Sequence, residues 1–220
     1  MKELNLPQNQ TELFEKYYEM LTEWNGRFNL TSVTARDEVI RKHFLDSIQG
    51  KDFLVESAAV CDVGSGAGFP RVPLKIVRED ISLTLMDSVG KKVLFLSELT
   101  KELGLTAECV KIRAEDAARG SRREAFDAVT SRAVAPLNIL LEYCLPLVKK
   151  GGVFLAYKTN SAEEIKKSLN ALKLLGGKVR EIKDYSLGEG ENRQIIVIEK
   201  ISPTPKAYPR GLGKERKQPL

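Results

Sequence analysis

The sequence of 220 residues has one histidine, His43, and three cysteines, Cys61, Cys109 and Cys144. The cysteines stand in apolar segments at wide spacings that fit neither a disulfide framework nor a zinc site, so buried free thiols in a reducing cytoplasm are expected, and no metal. No stretch approaches the roughly 20 apolar residues of a membrane span, and Met1 to Gln10 show no apolar run behind a basic start. A cytoplasmic, unexported monomer is the expectation. Net charge is small outside one region. Of a formal net charge of +5, most lies beyond Ile201, where Lys206, Arg210, Lys214, Arg216 and Lys217 face only Glu215.

What is present is a regular alternation. Leu13, Phe14, Tyr17, Met20, Leu21 and Trp24 recur at helical spacing, with Gly26 expected to end that helix, and Asp37 to Ser47 reads as a second helix. From about Ala58, strand-length runs follow: Ala59 to Val63, Ile81 to Met86, Ala107 to Ile112, Phe126 to Thr130, Gly152 to Tyr157, Lys178 to Ile182 and Gln194 to Ile198. Between them Lys91 to Leu103, Leu137 to Val148 and Ser161 to Leu175 have helical periodicity, the last opening on a capping box of Ser161 and Glu164. The pattern predicts a doubly wound, Rossmann-like α/β fold of seven strands. Its last two strands, joined by the short segment Tyr185 to Gly190, form an antiparallel hairpin. Residues 1–50 are expected as an N-terminal helical extension, 51–200 as the cofactor-binding domain, and 201–220, rich in proline and glycine, as a basic, mobile tail.

In such a sheet the ligand sits at the carboxyl ends of the strands, beside the first loop. That loop is Asp62-Val63-Gly64-Ser65-Gly66-Ala67-Gly68-Phe69. The dinucleotide fingerprint Gly-x-Gly-x-x-Gly would need a third glycine where Phe69 stands, which disfavours a pyrophosphate. Asp62 at the strand end is placed to attract an amino group or a sulfonium charge. Asp87 ends the second strand, at the distance where an acid accepts hydrogen bonds from both ribose hydroxyls. Loop and acid together indicate a nucleoside cofactor without naming it; each alone is equally compatible with a tight turn or a helix cap.

Several dispersed blocks resemble one family, the bacterial small-subunit ribosomal RNA guanine-N7 methyltransferases, also called glucose-inhibited division protein B. They are Trp24-Asn25, Asn29-Leu30-Thr31, His43 to Ser47, Asp62 to Pro70, Pro73-Leu74-Lys75, Asp87-Ser88 with Lys91-Lys92, Arg113-Ala114-Glu115, Ser131 to Ala135, Tyr208-Pro209-Arg210 and Lys217 to Leu220. The resemblance implies the class I methyltransferase sheet and S-adenosylmethionine as cofactor, with S-adenosylhomocysteine as product. The substrate implied is a guanine of 16S ribosomal RNA, free or in the small subunit. It further implies that Gly64 and Phe69 line the pocket, with Ser65, Gly66, Gly68, Asp87 and Ser88 as the other candidate cofactor contacts. Ala114 and Glu115 would border the adenine, and Arg132 the methionine end. Arg71 departs from the small residue usual between the two prolines.

Guanine N7 carries an unprotonated lone pair, so in-line transfer would need orientation and no general base, in keeping with the single histidine. His43 and Asp46, three apart on a helix, could touch RNA or cofactor, or form a pair that closes the pocket. Arg71, Lys75, Lys158, Arg193, Arg210, Lys214, Arg216 and Lys217 are candidate phosphate contacts. A methyltransferase of the same fold acting on another RNA or a small molecule, a nucleotide-dependent oxidoreductase and a noncatalytic RNA-binding module remain as alternatives.

Overall fold

The computed structural model describes residues 1, 4–188 and 190–220; Lys2 and Glu3, in the expected extension, and Glu189, in the expected hairpin connection, lie outside the described residues. All seven strands are present: β1 (Ala59–Val63), β2 (Ser82–Asp87), β3 (Ala107–Lys111), β4 (Phe126–Arg132), β5 (Val148–Lys158), β6 (Gly177–Ser186) and β7 (Asn192–Lys200). They form one sheet in the order β3-β2-β1-β4-β5-β7-β6. The first five pair in parallel and the last two antiparallel, as the short β6–β7 connection requires.

Side chains alternate along the strands. Cys61, Val63, Phe154, Ala156, Ile196 and Ile198 enter one core, with α7 (Leu137–Cys144) and α9 (Leu169–Leu175). Val60, Leu155, Ile195 and Val197 enter a second. A third core joins Leu83 and Leu85 to α4 (Arg71–Val77), α5 (Gly90–Glu102) and α1 (Gln8–Phe28). α1 buries Phe14, Tyr17 and Leu21 and runs through Gly26 to end at Asn29, whose left-handed φ of 49° lets its N–H bond the Asn25 carbonyl. Cys61 and Cys144 are buried thiols, whereas Cys109 is only half-buried.

Two expected details differ. The second helix is α-helical at Arg36–Val39 (α2) and Asp46–Ile48 (α3) but π-helical over Ile40–Leu45 between them. The Ser161–Glu164 capping box does not form: Ser161 donates to the Gln194 side chain and Glu164 reaches Leu137, while the helix itself breaks at Ser168 into α8 (Ala162–Lys167) and α9.

The tail 201–220, expected to be mobile, is folded against the body. Its backbone offers free carbonyls, and arginines take them: Arg123 donates to Thr204 O, Pro205 O and Tyr208 O, and Arg119 to Pro209 O. Arg210 makes a two-pronged ion pair, 2.7 Å at its shortest, with the fully buried Glu142 of α7. A last turn, α10 (Lys214–Lys217), packs on α7. No helix among the described residues is long and apolar enough to cross a membrane.

Candidate cofactor and substrate site

The loop after β1 is tied to the end of β2. Gly64 and Ser65 donate their N–H groups to Met86 O, and Gly66 donates to Asp87 Oδ2 at 2.9 Å, while Asp87 Oδ1 accepts the Val89 N–H at 2.9 Å. Each Asp87 oxygen keeps a free lone pair. Gly64 has φ +74°, and a Cβ there would lie 2.5 Å from Val134, so only glycine lets the chain turn here.

Around this loop runs a cleft of two lobes that share Gly64, Asp87, Ser88 and Val134. One lobe, about 160 Å³, is walled by Ile112, Ala114, Glu115, Tyr143 and Arg216. Ala114 and Glu115 open α6 (Ala114–Arg119), so their N–H groups precede the helix's own bonds and can meet a base edge. The other lobe, about 410 Å³, is walled by Ser65, Gly66, Phe69, Thr31, His43 and Arg132. A nucleoside fits this set: donors for a base at one end, a carboxylate for ribose at the junction, and a larger lobe of mixed polar and apolar lining beyond.

Four expected site residues are elsewhere. Asp62 is buried; Oδ1 accepts from the Thr130 hydroxyl at 2.6 Å, Oδ2 meets no donor among the described residues, and burial pushes its carboxyl up to about 6. The β1–β4 register sets Thr130 directly beside it, and Asp62 is not among the residues that line the cleft. Gly68 packs against Tyr17, where a Cβ would lie 2.5 Å from the hydroxyl. Arg71, expected to face RNA, is fully buried and donates to Thr130 Oγ1 of β4 at 2.5 Å, so it reaches into the sheet near Asp62. Lys75 is buried and donates to Glu79 O and Ile81 O, in the turn between α4 and β2, both at 2.7 Å. Arg71→Gly is therefore expected to lower stability by about 3 kcal/mol, through the emptied volume and the loss of a cation near Asp62. Urea unfolding measures this. RNA affinity and its salt slope stay at wild-type values, and a flattened slope would restore Arg71 as a phosphate contact.

Arg132, at the end of β4, lies over the Phe69 ring at 5.1 Å. It donates to Asp46 Oδ2 at 2.7 Å, to Lys42 O at 3.1 Å and to His43 Nδ1 at 3.1 Å. A guanidinium only donates, so Nδ1 is the acceptor and the imidazole proton sits on Nε2, facing Thr31 Oγ1 at 2.9 Å. Burial, then the Arg132 charge, pushes His43 down to about 3. The π-helix presents Lys42 O and His43 to Arg132, and the first residue of α3 adds Asp46. Asp46 also accepts the Tyr185 hydroxyl at 2.7 Å.

Behind Arg132 and His43 opens a second cavity of about 460 Å³, with Lys42, Tyr157, Lys158, Thr159, Glu164 and Arg193 in its walls. Arg132, His43 and Ala133 line both spaces. Of the residues expected to touch RNA, Lys158 and Arg193 are here. Arg210 is held by Glu142, Arg216 walls the smaller lobe of the cleft, and Lys214 and Lys217 are exposed on α10. Sequence reasoning missed Thr31, Tyr143, Val134, Lys42 and Glu164 as lining residues; for Thr31 the Asn-Leu-Thr block was the available signal.

This sheet order, with the cleft at the carboxyl ends of β1, β2 and β4, defines the class I methyltransferase fold. Solved structures agree: a putative transferase from Pyrococcus horikoshii matches with TM-score 0.58 at 11% identity over 76% of this chain and 63% of that one. The tRNA methyltransferase TrmK of B. subtilis matches with TM-score 0.54 at 10% identity over 76% and 67%. The chain belongs to the rRNA small subunit methyltransferase G family, whose model matches residues 10–196. Relatives of that name are 49% identical in Desulfitobacterium hafniense (99% of this chain, 92% of the relative) and 46% identical in Staphylococcus epidermidis (99% and 93%).

Proposed function

We propose that this protein transfers a methyl group from S-adenosylmethionine to N7 of a guanine in small-subunit (16S) ribosomal RNA, releasing S-adenosylhomocysteine. The observation that carries the reading is the second cavity, which meets the larger cofactor lobe across a wall of only Arg132, His43 and Ala133. The relatives' names supply the RNA.

In this reading Ala114 and Glu115 hold the adenine edge, Asp87 the ribose hydroxyls, and the lobe of Ser65, Gly66 and Phe69 the methionine end. Bound there, the cofactor supplies an electrophilic methyl on a sulfonium. The N7 lone pair forms the new N–C bond as the C–S electrons return to sulfur, and the positive charge passes to the purine. No proton leaves, so no base is needed. His43 suits this role: with a pKa of about 3 it is neutral, and both nitrogens are engaged, so it shapes the wall with Arg132. Lys42 and Arg193, in the walls of the second cavity, offer positive charge to RNA phosphate. Because the A-form major groove is deep and narrow, the target nucleotide is unpaired or turned out of its stack.

The test is to incubate the protein and labelled cofactor with small subunits lacking the modification, then map the methylated nucleotide by mass. Borohydride and aniline treatment should cut the RNA chain at that position, since only N7 alkylation sensitises the ring. A methyl on an exocyclic amine or a ribose overturns the proposal.

A further inference from the structure

N7 chemistry does not select guanine by itself, because adenine presents the same N7 acceptor. Selection has to come from the remaining edge, where guanine offers O6 as acceptor with N1–H and the N2 amino group as donors, and adenine offers an N6 donor beside an N1 acceptor.

Two carboxylates stand in the second cavity. Asp46 has both oxygens engaged, Oδ1 by Tyr185 and Oδ2 by Arg132. Glu164 differs. Its Oε2 accepts from the Leu137 N–H at 2.6 Å and from Lys158 Nζ at 2.7 Å, while Oε1 accepts no hydrogen bond from the described residues. Lys158 Nζ has a second partner, Ala135 O at 2.9 Å, which leaves one of its three protons. Acid and ammonium lie side by side and line only the second cavity, whereas Arg132, His43 and Ala133 form the wall shared with the cofactor cleft. A purine with N7 toward that wall turns its N1 and N2 atoms to the far side.

Resting on the guanine-N7 reading, we propose that Glu164 and Lys158 form the guanine-selecting site of this enzyme. Glu164 Oε1 accepts the N1–H and N2 amino donors, and the remaining Lys158 proton donates to O6. Adenine opposes both contacts, setting an acceptor against the carboxylate and a donor against the ammonium. The same contact acts on rate. As N7 gains the methyl, the purine becomes cationic and its N1–H a stronger donor, so the bond to Glu164 tightens in the transition state.

Glu164→Gln tests this while retaining an acceptor oxygen for the Leu137 N–H. Single-turnover rates are measured on unmodified small subunits carrying guanine, and on subunits carrying adenine, at the mapped position. The expected result is a 10- to 100-fold fall in the guanine rate, roughly the worth of one paired base contact, and a matching narrowing of the guanine-over-adenine preference. Cofactor affinity and Tm stay at wild-type values. Lys158→Met, which removes the O6 donor together with the bonds to Glu164 Oε2 and Ala135 O, is expected to narrow the preference less. If wild type methylates guanine N7 while Glu164→Gln leaves rate and preference unmoved, or lowers both rates equally together with Tm, the pair is merely a cap for α7 and the inference falls alone. If the wild-type methyl maps to another atom, the functional reading falls and takes this inference with it.

Discussion

Arg210→Met is expected to cost about 3–5 kcal/mol of stability in urea unfolding, the penalty for stranding a buried charge. Glu142 is fully buried in α7, and its carboxylate is matched by Arg210 Nε, Arg210 Nη2 and the Arg210 backbone N–H. Removing the guanidinium leaves an acid in apolar surroundings. The double variant Glu142→Leu with Arg210→Met should regain most of the loss, since replacing both partners by apolar groups of similar volume is close to neutral. If the single variant unfolds like wild type, the tail is not held by this pair. A second consequence concerns the ligand. Arg216, a few residues further on, walls the lobe assigned to adenine, so truncation after residue 201 is expected to weaken cofactor binding, where a free tail would leave it untouched.

Asp87→Ala is expected to lower S-adenosylmethionine affinity about 100-fold or more in calorimetric titration. The carboxylate anchors two backbone donors, Gly66 N–H and Val89 N–H, and stands at the junction of both cofactor lobes. A hydrogen bond to a charged group is worth about 1.5–3 kcal/mol, and every 1.4 kcal/mol is tenfold in affinity, so loss of the two ribose bonds reaches that range, while the loss of the two backbone anchors lowers stability. Asp87→Asn should fall between, because its oxygen can serve one amide while its NH₂ confronts the other. Undiminished affinity in the alanine variant would place the ribose elsewhere.

The sheet was legible because strands and helices carry their period in the chain: seven apolar runs predicted seven strands, and the short turn before β7 predicted its antiparallel partner. The glycine loop was legible because its spacing encodes backbone angles that few other residues adopt. Less legible was anything decided by a distant partner. Arg71 looked like a surface cation because the sequence does not show that β4 sets Thr130 beside Asp62, within its reach. The tail looked mobile because its proline and glycine content says nothing of Arg119, Arg123 and Glu142, which wait for it on α6, α7 and the loop between α6 and β4. The π-helical stretch had no sequence signal. Glu164 appeared as a local helix cap, a role that α8 does not use it for.

The docked tail also has a kinetic meaning. Arg210 and Glu142 are separated by 68 residues, and Arg123 reaches carbonyls 81 and 85 residues away. Such contacts form after the sheet has brought α7 and β7 into place, because the intervening chain must first be ordered. Interactions made late in folding leave the folding rate alone and act on escape from the native state. The Arg210–Glu142 pair therefore works as a latch. Its strength is expected to set how often the segment lifts, which unfolding rates and hydrogen exchange at residues 204–216 read directly.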